Sequence, residues 1–247
     1  MRPRGIRLSS VQTGVASPAA LTPRQWDEIW TLVDEFFDVE RAYAEAELRR
    51  RQRIAMFRMD GALLGIASID VYGATFRGRR LTVINTGHVL IREGGRGRNL
   101  VQKLGFRTFL KTRLRHPLSP IYWFFDTFSY KGYLLLPRNF QHFWPRYDEP
   151  TPEPRAALID QLATDLYGPA WRPARGIAVR SGQKRLRPTA APLDPDRDDD
   201  PNLRFFAGTN PGHASGDMLV CLCPLTLANW ASVARRALAR RGRAKAH

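Results

Sequence analysis

The chain has 247 residues, 43% of them hydrophobic, enough to bury one sizeable core or one core with a smaller appendage. Lys and Arg outnumber Asp and Glu by 39 to 23, mostly through arginine, and the formal charge of +16 favours anionic partners: CoA, an acidic carrier protein, nucleic acid or an anionic membrane surface. No apolar run reaches the roughly 18 residues of a membrane span, and the arginines of the N-terminus precede no apolar signal core, so the expected location is cytoplasmic. In chain order, residues 5–11 predict a short strand followed by a Ser/Pro/Ala loop. Thr22, Pro23 and Gln25 form a capping box with proline at the first helical position. Trp26, Ile29, Trp30, Val33, Phe36 and Phe37 give that helix an apolar face, and residues 39–51 read as a second, more polar helix. Three strands follow at 53–59, 61–72 and 79–91, with Asp60 and Gly61 turning the first hairpin.

A glycine-rich turn, Arg92-Glu93-Gly94-Gly95-Arg96-Gly97, separates the third of these strands from a helix-like run over 99–114. Glycines let a backbone approach an anion closely, and the unpaired N–H groups of a first helical turn point at it with the helix dipole behind them. Arg92, Arg96 and Arg98 add charge at the same place, so the turn predicts a site for a phosphorylated ligand. After a break at His116 and Pro117, residues 120–126 form an apolar strand, Ser129 caps a short helix, and Pro137 is expected to end it.

Arg92-x-x-Gly95-x-Gly97 resembles the pyrophosphate-binding signature of the GNAT acyltransferases, and the order β-αα-βββ-α-β-α over residues 5–147 resembles their core. The resemblance implies an α/β fold, a GNAT-like mixed central sheet flanked by helices, with residues 1–147 as the acyl-CoA-binding core and 148–247 as a C-terminal α/β extension. It implies acyl-CoA as cosubstrate, no metal, and an amine acceptor, small molecule or protein, with an acidic acyl carrier protein as a second possible donor. Gly94, Gly95, Arg96, Gly97, Arg98 and Arg92 would hold the pyrophosphate, and a backbone N–H near Val89 or Ile91 would polarise the thioester carbonyl. His88 and Asp126 are the candidate bases, and Tyr130 and Tyr133 the candidate acids for the departing thiolate. The family's usual tyrosine, five residues before a Gly-Phe that opens the next strand, is absent: the counterpart is Asn139-Phe140, preceded by Leu135.

Beyond residue 148 the sequence predicts a helix over 153–168 with Leu158, Leu162 and Leu166 on one face, then a Pro/Arg/Asp-rich excursion over 172–201. The carboxylates of 194–200 lack the glycine and final glutamate of a calcium loop. Residues 203–207 and 218–222 read as strands, with Cys221 and Cys223 as two small apolar residues on one face, and 225–241 as a basic amphipathic helix that docks or meets a membrane surface or nucleic acid. The aromatic stretch 121–144 suggests a channel for an acyl chain or apolar acceptor, with Phe124 and Phe128 in its wall. A non-catalytic binding module and a nucleic-acid-binding protein are the alternatives from other classes.

Overall fold

The computed structural model describes residues 10–95, 97–180, 183–187 and 199–245. Strand β1 is Gln12–Ala16, within the stretch expected to be a loop; most of the expected strand at 5–11 lies outside the described residues. Helix α1, Pro23–Phe36, starts at the capping box: the Gln25 N–H donates to Thr22 Oγ1 at 3.3 Å and the Thr22 N–H donates to Gln25 Oε1 at 2.9 Å. These reciprocal bonds satisfy two groups that the helix itself leaves unpaired. A two-residue strand β2, Phe37–Asp38, and helix α2, Arg41–Arg49, follow.

Strands β3 (Arg53–Met59), β4 (Ala62–Phe76) and β5 (Arg79–Ile91) form an antiparallel meander. Asp60 and Gly61 turn the first hairpin and Arg77 and Gly78 the second, all four with positive φ, the conformation whose twist matches that of the strands it joins. Helix α3, Leu100–Arg115, carries the chain back so that β6, Ile121–Thr127, runs parallel to β5, as a crossover connection requires. Two short helices come next, α4 (Tyr130–Tyr133) and α5 (Leu135–Asn139). Pro137 therefore does not end the helix begun at Ser129. It lies in the first turn of α5, where its missing N–H leaves no helical bond unmade.

Helix α6, Glu153–Tyr167, buries Leu158, Ile159, Leu162, Ala163 and Tyr167, and it leaves Leu166 exposed. The excursion beyond it carries three two-residue strands, β7 (Trp171–Arg172), β8 (Ile177–Ala178) and β9 (Arg185–Leu186). Residues 203–207 are not a strand but part of helix α7, Pro201–Thr209. So short a run, four apolar residues and Arg204, fits either period; here Asp200 accepts the Asn202 N–H at 2.9 Å and Pro201 presets the first turn, and these start a helix. Strand β10 (Met218–Pro224), buried throughout, and helix α8 (Leu227–Lys245) complete the chain.

Eight strands make one sheet in the order β1-β3-β4-β5-β6-β10-β8-β7, antiparallel throughout except between β5 and β6, while β2 and β9 pair separately. Strands from both sides of residue 148 thus share the sheet, and β6 gains its second neighbour from β10 rather than from Asn139-Phe140, which closes α5. One face packs on α3, α4, α5, α7 and α8 through Ile84, Phe125, Leu104, Tyr133, Phe206 and Trp230. The other packs on α1 and α2 through Ile54, Ile66, Ile29 and Leu48, and on α6 through Val83, Phe124 and Leu158. This is a mixed sheet flanked by helices, the architecture that the GNAT resemblance implies.

Candidate functional site

The parallel pair β5 and β6 is in register from Thr82 opposite Ile121 to Thr86 opposite Phe125, and there the pairing stops. The cause lies on the far side of β5. Gly87 faces Ser68 and Leu90 faces Ile66, so His88 and Val89 together stand opposite the single residue Ala67. This bulge puts His88 in the left-handed region at φ 48° and turns the end of β5 away from β6. Val89, Ile91 and Asp126 all lie beyond the last paired residues, at an opening in the middle of the sheet.

Below the opening, β5 runs into the glycine turn. The Gly95 N–H closes on the Arg92 carbonyl at 2.9 Å, the Arg92 N–H donates to the Leu64 carbonyl at 2.9 Å, and Arg98 Nε donates to the Gly94 carbonyl at 3.1 Å. Gly95 is buried where a Cβ would lie 2.8 Å from Ile91 Cγ2, and Gly97 holds φ at 74° with open space around it. Asn99 enters α3 at φ 55° and its side chain caps none of the first-turn N–H groups. Arg92, expected at the phosphate, instead makes a fork to Glu35 at 2.7 and 2.5 Å and also bonds the Leu63 carbonyl. Arg96 lies outside the described residues.

On the face that carries α1, α2 and α6, the opening is ringed by polar groups. Arg51 Nη1 donates to Asp70 Oδ2 at 3.0 Å and to Asn85 Oδ1 at 3.1 Å, and its guanidinium passes beside Gly87. Asn85 Nδ2 in turn donates to the Phe124 carbonyl of β6 at 3.0 Å, joining the two parallel strands just before they part. Arg180 Nη1 meets Glu47 Oε2 at 3.1 Å. His88 Nδ1 is 3.3 Å from Ser68 Oγ; burial first, and then the cations of Lys184, Arg51 and Arg180, hold it well below its usual value, so the ring is neutral. Burial and then Asp126 push the Tyr167 hydroxyl well above its ordinary value.

Lys184 completes this ring, a residue that the sequence analysis did not single out. It sits on the segment that β9 ties to the end of α1: Leu186 pairs with Phe37, the Arg187 N–H donates to the Phe36 carbonyl at 2.9 Å, and Arg187 Nη2 reaches Asp34 at 2.7 Å. Gln183 accepts from the Tyr43 hydroxyl at 2.7 Å. Lys184 Nζ stands 3.6 Å over the ring of Phe37, with Phe128 beside it. Burial, aided by Arg180 and Arg51 and opposed by Asp126 and Glu47, brings its ammonium down to about 7. One sequence signal could have marked it: the chain has only five lysines among 39 basic residues, and arginine cannot release a proton near neutral pH.

On the opposite face an apolar cavity of about 60 Å³ leads from the opening between the sheet and helices α3 and α8. Thr86, Val89 and Trp123 line its sheet side, and Gly105, Phe140 and Trp230 its helical side. Trp123 is fixed there by its Nε1–H, which donates to Thr86 Oγ1 at 2.8 Å. Of the aromatic residues expected to wall a channel, Phe124 points to the other face and packs against α6, and Phe128 packs edge-on against Phe37 beside Lys184. Alternation along β6 decides this, since Trp123 and Phe125 share one face with Thr127 while Phe124 shares the other with Asp126.

Tyr130 and Tyr133 are buried in α4. The Tyr133 hydroxyl donates to the Pro145 carbonyl at 3.2 Å, and its ring packs against Phe143, Phe205 and Phe206. Cys221 and Cys223 are free and buried, and burial raises both thiols far above their ordinary value, which keeps them protonated. Among the described residues no group of His, Cys, Asp or Glu could hold a metal ion, and no helix is long and apolar enough to cross a membrane.

No protein-family model matches the chain, and no curated protein matches it. Solved structures do match in part. An acyl-CoA N-acyltransferase from Pseudomonas aeruginosa is 22% identical over 47% of this chain and 79% of its own, with a TM-score of 0.34. A conserved Enterococcus faecalis protein, a probable N-acyltransferase, is 14% identical over 64% of this chain and 43% of its own, with a TM-score of 0.41. A ribosomal-protein-alanine N-acetyltransferase from Brucella melitensis is 14% identical over 57% of this chain and all (100%) of its own, with a TM-score of 0.38. At such values the likeness assigns neither activity nor substrate, and the resemblance to the GNAT core rests on this chain's own element order, its one parallel strand pair among the described residues and the glycine turn between them.

Proposed function

We infer that the chain transfers an acyl group from acyl-CoA to a primary amine. The observation that carries this reading is the opening between β5 and β6, with an apolar cavity on one face and a polar ring on the other. CoA would lay its pyrophosphate on the glycine turn and the first-turn N–H groups of α3, through Gly94, Gly95, Gly97 and Arg98, and its pantetheine arm along the cavity. An acidic acyl carrier protein would present the same arm. The thioester carbonyl would then lie at the bulge, within reach of a backbone N–H near Val89 or Ile91.

The acceptor amine would enter from the face that carries Asp126, His88 and Lys184. Attack on the carbonyl carbon forms the C–N bond, breaks the C–S bond and leaves an extra proton on nitrogen. Lys184, half unprotonated near neutral pH, is the group suited to take that proton, with Asp126 stabilising the ammonium that forms. His88, held neutral by burial and cations, is the weaker base. The Tyr133 hydroxyl is engaged with Pro145, so the departing thiolate would take its proton from solvent or from the ammonium of Lys184.

Thermal stability measured against CoA, acetyl-CoA and long-chain acyl-CoAs tests the donor. A ligand at about a hundred times its Kd adds ~2.7 kcal/mol, a shift of a few degrees. The shift is expected to disappear in Gly97→Asp, whose carboxylate stands where the pyrophosphate binds. No shift with any CoA would remove the CoA-donor reading. A shift without thiol release in the presence of a panel of primary amines would make the chain a binding module rather than an enzyme.

A further inference from the structure

Helix α3 carries two parallel stripes on its outer face. Lys103, Arg107, Lys111 and Arg115 recur every fourth residue and are all exposed. Beside them run Phe106, Leu110, Leu114 and, just past the helix, Leu118, with 43, 44, 83 and 95% of their surface exposed. Residues four apart lie one above the other on a helix, so Phe106, Leu110 and Leu114 make an apolar strip bordered by a cationic one, with Leu118 in the turn just beyond the helix. No acidic residue occurs between Glu93 and Asp126, and among the described residues none of the four cations is in a salt bridge. Helix α8 packs alongside, Trp230 lying 4.9 Å from Phe106 and 5.1 Å from Phe109. It exposes Leu227 and Leu238, and no acid follows Asp217.

CoA does not account for this face. At 1.5 Å per residue, Lys111 lies roughly 16 Å along the helix from Leu100, well beyond the turn where a pyrophosphate would sit, and leucines at 114 and 118 contribute nothing to anion binding. Core packing does not account for it either, since α3 already buries Leu100, Leu104 and Phe109 against the sheet. Apolar side chains flanked by cations are the chemistry of a helix lying in the plane of an anionic bilayer, the apolar strip entering the acyl boundary and the cations meeting lipid phosphates.

We propose that the outer face of α3, with α8 beside it, docks the protein on an anionic phospholipid surface. Docking there sets the membrane against the helices that wall the apolar cavity, because Gly105 and Thr108 line the cavity from the inner side of the same helix. The inference does not depend on acyl transfer.

Flotation of the full chain with vesicles tests it. The protein is expected to float with phosphatidylcholine vesicles that contain phosphatidylglycerol and to stay behind with phosphatidylcholine alone. Lys111→Gln with Arg115→Gln should weaken binding by about fivefold per charge and flatten its dependence on salt. Leu114→Gln with Leu118→Gln should weaken binding tenfold or more at unchanged charge, and unchanged melting temperatures in both double variants would show that they are folded. Equal binding to both vesicle types, or no binding to either, overturns the proposal. So does wild-type binding by the leucine variant, which would mark the face as a general polyanion surface. Self-association without vesicles that the leucine substitutions abolish would assign the strip to a second copy of the chain and overturn it as well.

Discussion

Arg92 and Glu35 lie 57 positions apart in the chain and are joined by two hydrogen bonds of 2.7 and 2.5 Å. The fork ties the glycine turn to α1, and the Glu35 carboxylate raises the Arg92 guanidinium further above its already high value. In this structure Arg92 braces the glycine turn against α1. Both groups are partly solvated, so the pair contributes on the order of 1 kcal/mol. Arg92→Gln should lower the melting temperature by a few degrees and leave most of the CoA-induced shift intact. A lost shift at little cost in stability would return Arg92 to the phosphate.

Gly95 and Gly97 of the turn differ in the room around them, and substitution should separate their roles. Gly95→Ala forces a Cβ to within 2.8 Å of Ile91 Cγ2, an overpacking of ~1–3 kcal/mol that denaturant unfolding would show without any ligand. Gly97→Ala meets no atom and is strained only by its φ of 74°, about 1–2 kcal/mol. If stability falls equally but CoA affinity falls only for Gly97, the open side of the turn is the anion side.

Lys184 predicts a pH dependence of fixed sign. In the unfolded chain it keeps its proton up to the ordinary 10.5, whereas in the folded protein it keeps it only up to about 7. Between these values the folded state binds fewer protons, so stability rises with pH across the window and the penalty is complete below it. Lys184→Met should therefore raise the melting temperature at about pH 6, with the gain shrinking as pH approaches about 10. Thiol release from acyl-CoA with an amine acceptor should rise through about pH 7 in the wild type, and Lys184→Arg, which cannot lose a proton, should remove that rise. A profile unchanged in Lys184→Arg would exclude Lys184 as the proton acceptor.

Gly105 offers a clean probe of the cavity. It lies inside α3, and a Cβ there would meet nothing within 4 Å. Gly105→Ala should stabilise the protein by ~1 kcal/mol through helix propensity. Gly105→Phe should fill the cavity, keeping the fold while abolishing the thermal response to acyl-CoA. Loss of both together would mean that the cavity is part of the core packing and not a ligand channel.

The sequence alone determined whatever rests on neighbours along the chain. The capping box at Thr22 and Gln25, the positive-φ turn at Asp60 and Gly61, the β-branched run of β5 and the glycine turn before α3 are local signals, each with its own stereochemical cause, and all were legible. Where two local structures are close in energy the sequence does not decide between them: residues 203–207 are apolar enough for a strand, and the cap at Asp200, three residues earlier, makes them a helix. Tertiary structure alone decided the site. The bulge at His88 and Val89 follows from register against Ser68 and Ile66, the closing of β6 by β10 joins segments about 100 residues apart, and Lys184 reaches the opening only because β9 pairs with β2. Lys184 also takes its lowered affinity for a proton first from burial, which the tertiary packing creates, and then from Arg180, four residues before it, and Arg51, more than a hundred before it, so its local sequence does not announce its chemistry.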